Sequence, residues 1–232
     1  MSNDVIITGA SSGIGAATAQ RFLETGARVL NLSRRACPIE DVTHVTCDLA
    51  SAAADEIIEQ TVLPWRRADA PLVLIHNAAR LDKDTVETTS PDALRAVLDI
   101  NVIAVQRLNQ HLVHTMPPGS SVLYVGSTLS EKAVGGAFTY VTSKHALLGM
   151  MRATCQDLAG RGVHTVCVCP GFTDTDMLRE HVPGDVLPAL GAMSAFGRLV
   201  TPDEIAQSLL WCSQSAVLNG AVVHANLGQI ES

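Results

Sequence analysis

Val5-Ile6-Ile7-Thr8-Gly9-Ala10-Ser11-Ser12-Gly13-Ile14-Gly15 is the stretch that decides the fold. A short apolar run enters a glycine-rich turn, and an amphipathic helical pattern follows from Ile14 to Thr25. Strand, turn and helix in that order open a βαβ unit. The glycines have separate tasks: Gly9 permits the tight turn, while Gly13 and Gly15 let a pyrophosphate and the helix approach the backbone closely. The first N–H groups of the helix then face the turn and suit a phosphate.

Outward from that stretch, short apolar strands alternate with longer helical patterns. Strands are expected at about Asp4 to Thr8, Arg28 to Leu32, Thr43 to Cys47, Leu72 to His76, Ser120 to Gly126, Val163 to Cys169 and Ala221 to Ala225. About seven strands with crossover helices predict a doubly wound parallel α/β sheet covered on both faces. Two helix starts are explicit: Ser90 before Pro91, and Thr201-Pro202-Asp203-Glu204, which spells a capping box. No repeat or linker divides residues 1–232, so one domain is expected. The loosest stretch, 176–198 with Pro183-Gly184, Pro188 and Gly191, suits a substrate lid.

Composition narrows the function classes. Hydrophobic residues make up 47% of the chain and charged residues 17%, as a buried aliphatic sheet requires. A net charge of −7 argues against a polyanion-binding surface, so nucleic acid is not an expected partner. No apolar run reaches membrane-spanning length, and Met1-Ser2-Asn3-Asp4 lacks a basic leader, which together predict a cytoplasmic protein without a membrane partner. Cys37, Cys47, Cys155, Cys167, Cys169 and Cys212 form no Cys-x-x-Cys pair and read as small core residues of a reducing compartment. Neither a metal nor a disulfide is assigned. His111 and His114, the nearest approach to a ligand pair, fall in the last turns of a helix, where imidazoles face solvent.

The second strand bears on which dinucleotide would bind. It runs Arg28-Val29-Leu30-Asn31-Leu32-Ser33-Arg34-Arg35 and lacks the carboxylate that would accept from both ribose hydroxyls. A hydroxyl and two guanidinium groups suit a 2′-phosphate instead, so NADP(H) is expected; the competing reading is that Arg34 and Arg35 are solvated loop charges. Asp48, after the third strand, either accepts from the adenine amino group or caps the next helix. Asn101 lies within the apolar stripe of the helix after Pro91, where a buried amide left unsatisfied costs roughly 1 to 3 kcal/mol. It is either a structural clamp or part of a proton relay.

Tyr140 and Lys144 stand four residues apart in a segment that reads as a helix, so their side chains lie one turn apart on one face. An ammonium that close is expected to lower the phenol from its ordinary value near ~10 toward the working range of a proton shuttle. Ser127 ends the apolar strand Ser121 to Gly126, where its hydroxyl can hold a substrate oxygen in front of the phenol.

With these residues assembled, the chain resembles the short-chain dehydrogenase/reductase family of the compact type along essentially its whole length. The family's Thr-Gly-x-x-x-Gly-x-Gly turn is Thr8 to Gly15, its Asn-Ala-Gly element is Asn77-Ala78-Ala79, and its Pro-Gly segment is Pro170-Gly171-Phe172-Thr173-Asp174-Thr175. The resemblance implies a Rossmann-type fold, a homo-oligomer (tetramer or dimer), and Asn101, Ser127, Tyr140 and Lys144 as catalytic residues. It implies cofactor contacts from Gly9, Ser11, Ser12, Gly13, Ile14, Gly15, Ser33, Arg34, Arg35, Asp48, Leu49, Asn77, Ala78, Tyr140, Lys144, Pro170, Gly171, Thr173 and Thr175. Thr175 would hold the nicotinamide carboxamide, and Thr173 would contact it through backbone. The implied chemistry is reduction of a carbonyl or oxidation of a secondary alcohol, with a likeness to bacterial 3-oxoacyl-acyl-carrier-protein reductases. The alternative is a catalytically silent NADP(H) sensor or scaffold. Two departures stand out: Ala79 replaces a glycine, and Asn226-Leu227-Gly228 replaces Asp/Asn-Gly-Gly. Spare apolar surface on Val102, Val105, Leu108, Leu112, Leu147, Leu148 and Met151 is expected to serve subunit contacts.

Overall fold

The computed structural model describes residues 3–229; Met1, Ser2 and the last three residues lie outside it. Seven strands, β1 (Asp4–Thr8), β2 (Arg28–Ser33), β3 (Thr43–Thr46), β4 (Leu72–His76), β5 (Ser121–Val125), β6 (His164–Pro170) and β7 (Ala221–Ala225), form one sheet in the order β3-β2-β1-β4-β5-β6-β7. Every neighbouring pair is parallel. The helices are α1 (Gly13–Glu24), α2 (Ala54–Ile57), α3 (Leu63–Trp65), α4 (Pro91–Leu98), α5 (Ala104–Leu112), α6 (Phe138–Asp157), α7 (Asp176–His181), α8 (Leu187–Ala192) and α9 (Pro202–Ser213). This is the doubly wound Rossmann-type sheet expected, with strand ends within a residue of their predicted places.

Alternation along the strands sorts the core into two layers. Val5 and Ile7 join Phe22 of α1 and Leu209 of α9 on one face, while Ile6 joins Leu108 of α5 and Met151 of α6 on the other. Each such fully buried aliphatic chain contributes about 1.5–3 kcal/mol. The helix starts read from sequence are real: Ser90 accepts from the Ala93 N–H, and Thr201 and Glu204 close a reciprocal capping box.

Between α4 and α5 the backbone makes a π turn over Asp99–Ile103, so the helix from Pro91 is not uniform. That turn shifts the apolar stripe of this helix, and on both it and α6 the reading of spare surface is corrected by burial. Val105, Leu108, Leu112, Leu147, Leu148 and Met151 are all buried in the chain's own core, and Val102 is half-buried. The apolar side chains left exposed there are Ile103 and Phe138. The stretch 176–198, read as the loosest of the chain, holds α7 and α8.

Among the described residues no helix is long and apolar enough to cross a membrane, and no group of three or more candidate metal ligands occurs. His111 pairs with Asp55 at 2.9 Å, and His114 faces the carbonyl of Gln110. The six cysteines are free, four of them buried.

His76, the last residue of β4, is buried with Tyr124 and Asn109 in a polar chain that ends at the half-buried Thr154. Asn109 Nδ2 donates to the Tyr124 hydroxyl at 3.0 Å, which turns its Oδ1 toward His76 Nε2 at 2.8 Å. Nε2 therefore donates, and Nδ1 is a bare acceptor without a partner. Burial pulls His76 down to about 4, against an ordinary 6.5. Between those values the unfolded chain binds a proton that the folded one refuses, so stability present above pH ~6.5 is lost as pH falls toward ~4. This group alone should cost about 2 kcal/mol of unfolding free energy between pH 7 and pH 5. His76→Asn, which keeps a donor for Asn109 but cannot titrate, should flatten that part of the profile; urea unfolding at the two pH values measures it.

Candidate active site

In this strand order β1 has β2 on one side and β4 on the other, so the chain leaves the sheet in opposite directions around the carboxyl end of β1. A crevice opens there. Thr8 and Asn77 define its floor: Thr8 Oγ1 accepts from the backbone N–H groups of Asn77 and Ala78 at 3.0 Å each, and Asn77 Nδ2 donates to the carbonyls of Thr8 and Gly9 at 3.0 Å each. Asn31 of β2 reaches across to accept from Ala10 N–H at 2.9 Å and thereby pins the glycine turn from the other side.

The turn needs its glycines for the reasons the sequence suggests. Gly9 and Gly13 have φ of +73° and +54°, and a Cβ on Gly15 would lie 2.3 Å from the Gly9 carbonyl oxygen. Ser12 caps α1 with extended backbone and no side-chain hydrogen bond, which leaves a role at that helix start that a phosphate could fill. The cradle fits a dinucleotide pyrophosphate. Thr175 lies over it, its methyl 3.2 Å from where a Gly13 Cβ would be, while its Oγ1 accepts from Leu178 N–H and caps α7.

At the end of β2, Ser33 is buried and donates to the Arg35 carbonyl at 2.7 Å. Arg34 and Arg35 are exposed, and neither has an ion-pair partner among the described residues. Asp48 accepts from Ala50 N–H in a local turn, and the carbonyl of Leu49 is held by Arg107 at 2.6 Å.

The four residues expected to be catalytic come from the end of β5, from α6 and from the π turn. Tyr140 and Lys144 are buried on one face of α6. Lys144 Nζ donates to the carbonyl of Val125 at 2.8 Å and lies 5.4 Å from the centre of the Tyr140 ring. Ser127 follows β5; its Oγ accepts from Leu129 N–H, and Ser130 Oγ accepts from Ser127 N–H. Asn101 sits in the π turn, where such irregularities often mark functional positions. Its Oδ1 accepts from Arg80 N–H at 2.8 Å, and its Nδ2 donates to the Arg80 carbonyl and to Ser143 Oγ, both at 2.9 Å. The side chain thus clamps the loop after β4 to α6, one of the two readings left open by the sequence, and one Oδ1 lone pair remains.

Sequence reasoning missed several supports: Asn31, Ser130, Ser143 and the sulfurs beneath Ser127. A Cβ on Gly126 would lie 2.7 Å from Cys167 Sγ and 2.9 Å from Cys169 Sγ. The chain turns into Ser127 over two thiols of β6 that are 3.8 Å apart, and only glycine clears them. Asn31 did carry a signal, an amide in an otherwise apolar strand. The contact of Gly126 with β6 carried none, because it depends on strand order.

A family model described as enoyl-(acyl carrier protein) reductase matches residues 9–229. The short-chain reductase protein NovJ of Streptomyces niveus is 30% identical over 97% of this chain and 92% of its own length. A 3-oxoacyl-[acyl-carrier-protein] reductase, FabG of Thermotoga maritima, is 27% identical over 97% of this chain and 96% of its own. The structure of a short-chain dehydrogenase/reductase from Serratia marcescens superposes with a TM-score of 0.86 at 28% identity, covering 97% of each chain. The chain belongs to the short-chain dehydrogenase/reductase family. It therefore falls among the oxidoreductases that act on CH–OH or C=O groups with a nicotinamide cofactor.

Within the family's pattern the two departures now have physical accounts. Ala79 is not among the described non-glycine residues with positive φ, so its backbone does not need glycine there. Leu227 is one of them, at φ 53°, and holds a left-handed conformation that glycine would adopt without strain. Its neighbour Asn226 packs so closely on Gly171 that a Cβ there would lie 2.9 Å from Asn226 Cα.

Proposed function

We propose that this protein is an NADP(H)-dependent oxidoreductase interconverting a carbonyl and a secondary alcohol within a single domain, with Tyr140 as the acid/base. The observation that carries the reading is the buried pair on α6: Lys144, fixed by the carbonyl of Val125 two residues before Ser127, holds its ammonium 5.4 Å from the centre of the Tyr140 ring. Bound in the crevice, the cofactor supplies or accepts the hydride. Tyr140 gives its hydroxyl proton to the carbonyl oxygen in reduction and takes it back in oxidation. Ser127 Oγ already accepts from Leu129, which leaves its O–H free to donate to the same oxygen and orient it. Lys144 keeps positive charge beside the phenol as the proton leaves, and its remaining N–H bonds suit the nicotinamide ribose. By the family likeness Asn101, its amide engaged in three hydrogen bonds, would hold the water that connects Lys144 to solvent.

For the cofactor, Arg34 and Arg35 carry the argument. In a chain of net charge −7, Arg21, Arg80, Arg179 and Arg198 each hold a carboxylate, whereas these adjacent guanidiniums at the β2 terminus hold none among the described residues. A ribose 2′-phosphate would complete them. Gly9, Ser11, Ser12, Gly13, Ile14 and Gly15 would hold the pyrophosphate, Ser33 the ribose, Asp48 and Leu49 the adenine, and Asn77, Ala78, Pro170, Gly171, Thr173 and Thr175 the nicotinamide half.

A 3-oxoacyl thioester is the substrate class favoured by the likeness to 3-oxoacyl-acyl-carrier-protein reductases. Arg179 and Arg198, on the segment 176–198 proposed as the lid, are already paired with Asp174 and Glu204, so they do not offer charge to an acidic carrier. The acyl end, rather than the carrier, is then the part recognised. The free thiols agree with a cytoplasmic setting.

Tyr140→Phe should leave NADPH binding nearly intact and lower turnover at least ~100-fold, as cofactor fluorescence titration and steady-state kinetics would read. Near-normal turnover would move the acid/base elsewhere. Arg34→Ala should weaken NADPH far more than NADH, and Ser33→Asp should shift preference to NADH by adding a repulsive charge; equal weakening of both cofactors would sink the 2′-phosphate assignment. Assembly as a homo-oligomer, a tetramer or dimer, rests on the family likeness, and light scattering at micromolar concentration should exceed the 24.5 kDa of one chain.

A further inference from the structure

We infer that Asp84 is the residue that positions the catalytic helix, and through it Tyr140; the inference rests on the reading of Tyr140 as acid/base. α6 carries both Tyr140 and Lys144, yet it begins without a cap of its own. Its N-cap is Ala137, which has no acceptor to offer, and the approach is Gly135-Gly136, where Gly136 stands at φ +80° with nothing near its Cβ position. A helix start of that kind leaves its first N–H groups unheld.

Asp84 supplies what is missing from 53 to 55 residues upstream. Its backbone pairs in parallel with Ala137, with Asp84 N–H donating to the Gly136 carbonyl at 3.2 Å and Phe138 N–H donating to the Asp84 carbonyl at 3.3 Å. Its Oδ1 then accepts from Thr139 N–H at 3.1 Å. The first two N–H groups of α6 are therefore both held by one residue, and Tyr140 is the next position. The carboxylate also meets the positive end of a 20-residue helix. Its Oδ2 is buried without a hydrogen-bond partner, as is the hydroxyl of Thr139, so the position is maintained although each orphaned atom opposes it.

The same short segment gathers the other walls of the site. Arg80 receives the Asn101 clamp, and the Leu81 carbonyl faces His181 Nε2 of α7 at 2.9 Å. Arg80 to Asp84 thus joins the π turn, the proposed lid and the catalytic helix within five residues. Asp84 is the member of that segment that touches α6.

The test compares Asp84→Ala, Asp84→Asn, Asp84→Glu and Tyr140→Phe in the full chain. Asp84→Ala should lower kcat for carbonyl reduction about 10- to 100-fold while leaving the NADPH KM within about twofold, because only the placement of the phenol is lost. Asp84→Asn keeps an acceptor for Thr139 N–H and should stay within about threefold of the parent. Asp84→Glu keeps the charge but moves the acceptor by a methylene, and should show the same kcat loss in a protein that still folds should the alanine variant not. Amide hydrogen exchange across 136–142 should quicken in Asp84→Ala and not in Asp84→Asn. Unchanged kcat in Asp84→Glu, or an asparagine variant as impaired as alanine, would overturn the inference. If Tyr140→Phe keeps its turnover, the acid/base reading fails instead, and the exchange rates still judge the positioning.

Discussion

Thr8 and Asn77 together bond the carboxyl ends of β1 and β4, and the rest of the active end is referred to that junction. One hydroxyl accepts from two successive backbone N–H groups while one amide donates to two successive carbonyls. The chain departs from β1 into the glycine turn and from β4 into Ala78-Ala79-Arg80, so a single junction fixes both rims of the crevice. Loosening it would shift the pyrophosphate cradle relative to the loop that carries Arg80 and Asp84. A Cβ on Gly9 would already lie 3.0 Å from Ala78 Cα, which shows how little slack the junction has.

The second rim is built by reach rather than by sequence adjacency. Asn101 and Arg80 lie 21 residues apart on the connection from β4 to β5, yet three hydrogen bonds from one amide hold that loop against Ser143 of α6. The π turn makes this possible: by widening the helix at Asp99–Ile103 it places an amide on the core side without removing Ala104 and Val105 from their apolar contacts. Ser143 in turn donates to the Tyr140 carbonyl at 2.8 Å, so the clamp acts on the turn of α6 that separates Tyr140 from Lys144.

Much of this was legible in the sequence because it follows from periodicity. Strands buried on both faces read as continuous apolar runs, helix caps as Ser-Pro and Thr-Pro-Asp-Glu, and the phosphate turn as glycines between a strand and a helix. Tyr140 and Lys144 stand out by spacing, and Ser127 and Asn101 by polarity in apolar surroundings; Lys144 is tied to Val125 and Asn101 to Ser143. What was not legible depends on non-local geometry. A uniform helical period across the π turn could not show which apolar residues were spare, and Asp84 looked like any loop carboxylate because its partner is 55 positions away. The helices within 176–198 escaped notice since Pro188 and Gly191, read as loop formers, sit inside α8, where proline near a helix start costs nothing.

A buried polar residue that ends in hydrogen bonds stabilises little by itself, yet it admits few alternative arrangements, and the cost of a misplaced partner enforces the one observed. Around the crevice such residues accumulate: Thr8, Asn31, Asn101, Ser130, Ser143 and Lys144 are all buried. At the opposite end of the sheet Asp4, Ser120, His164 and Thr165 are buried as well, but their bonds serve the fold alone. There Asp4 is held by Arg28 and Arg67, a pairing that closes the sheet without setting any reactive group. The asymmetry follows from what each end must do. An apolar core tolerates small shifts at modest cost, whereas a proton transfer demands its donor within hydrogen-bond reach of the oxygen it serves. The polar contacts at the crevice are therefore the ones whose geometry, to within angstroms, decides a rate.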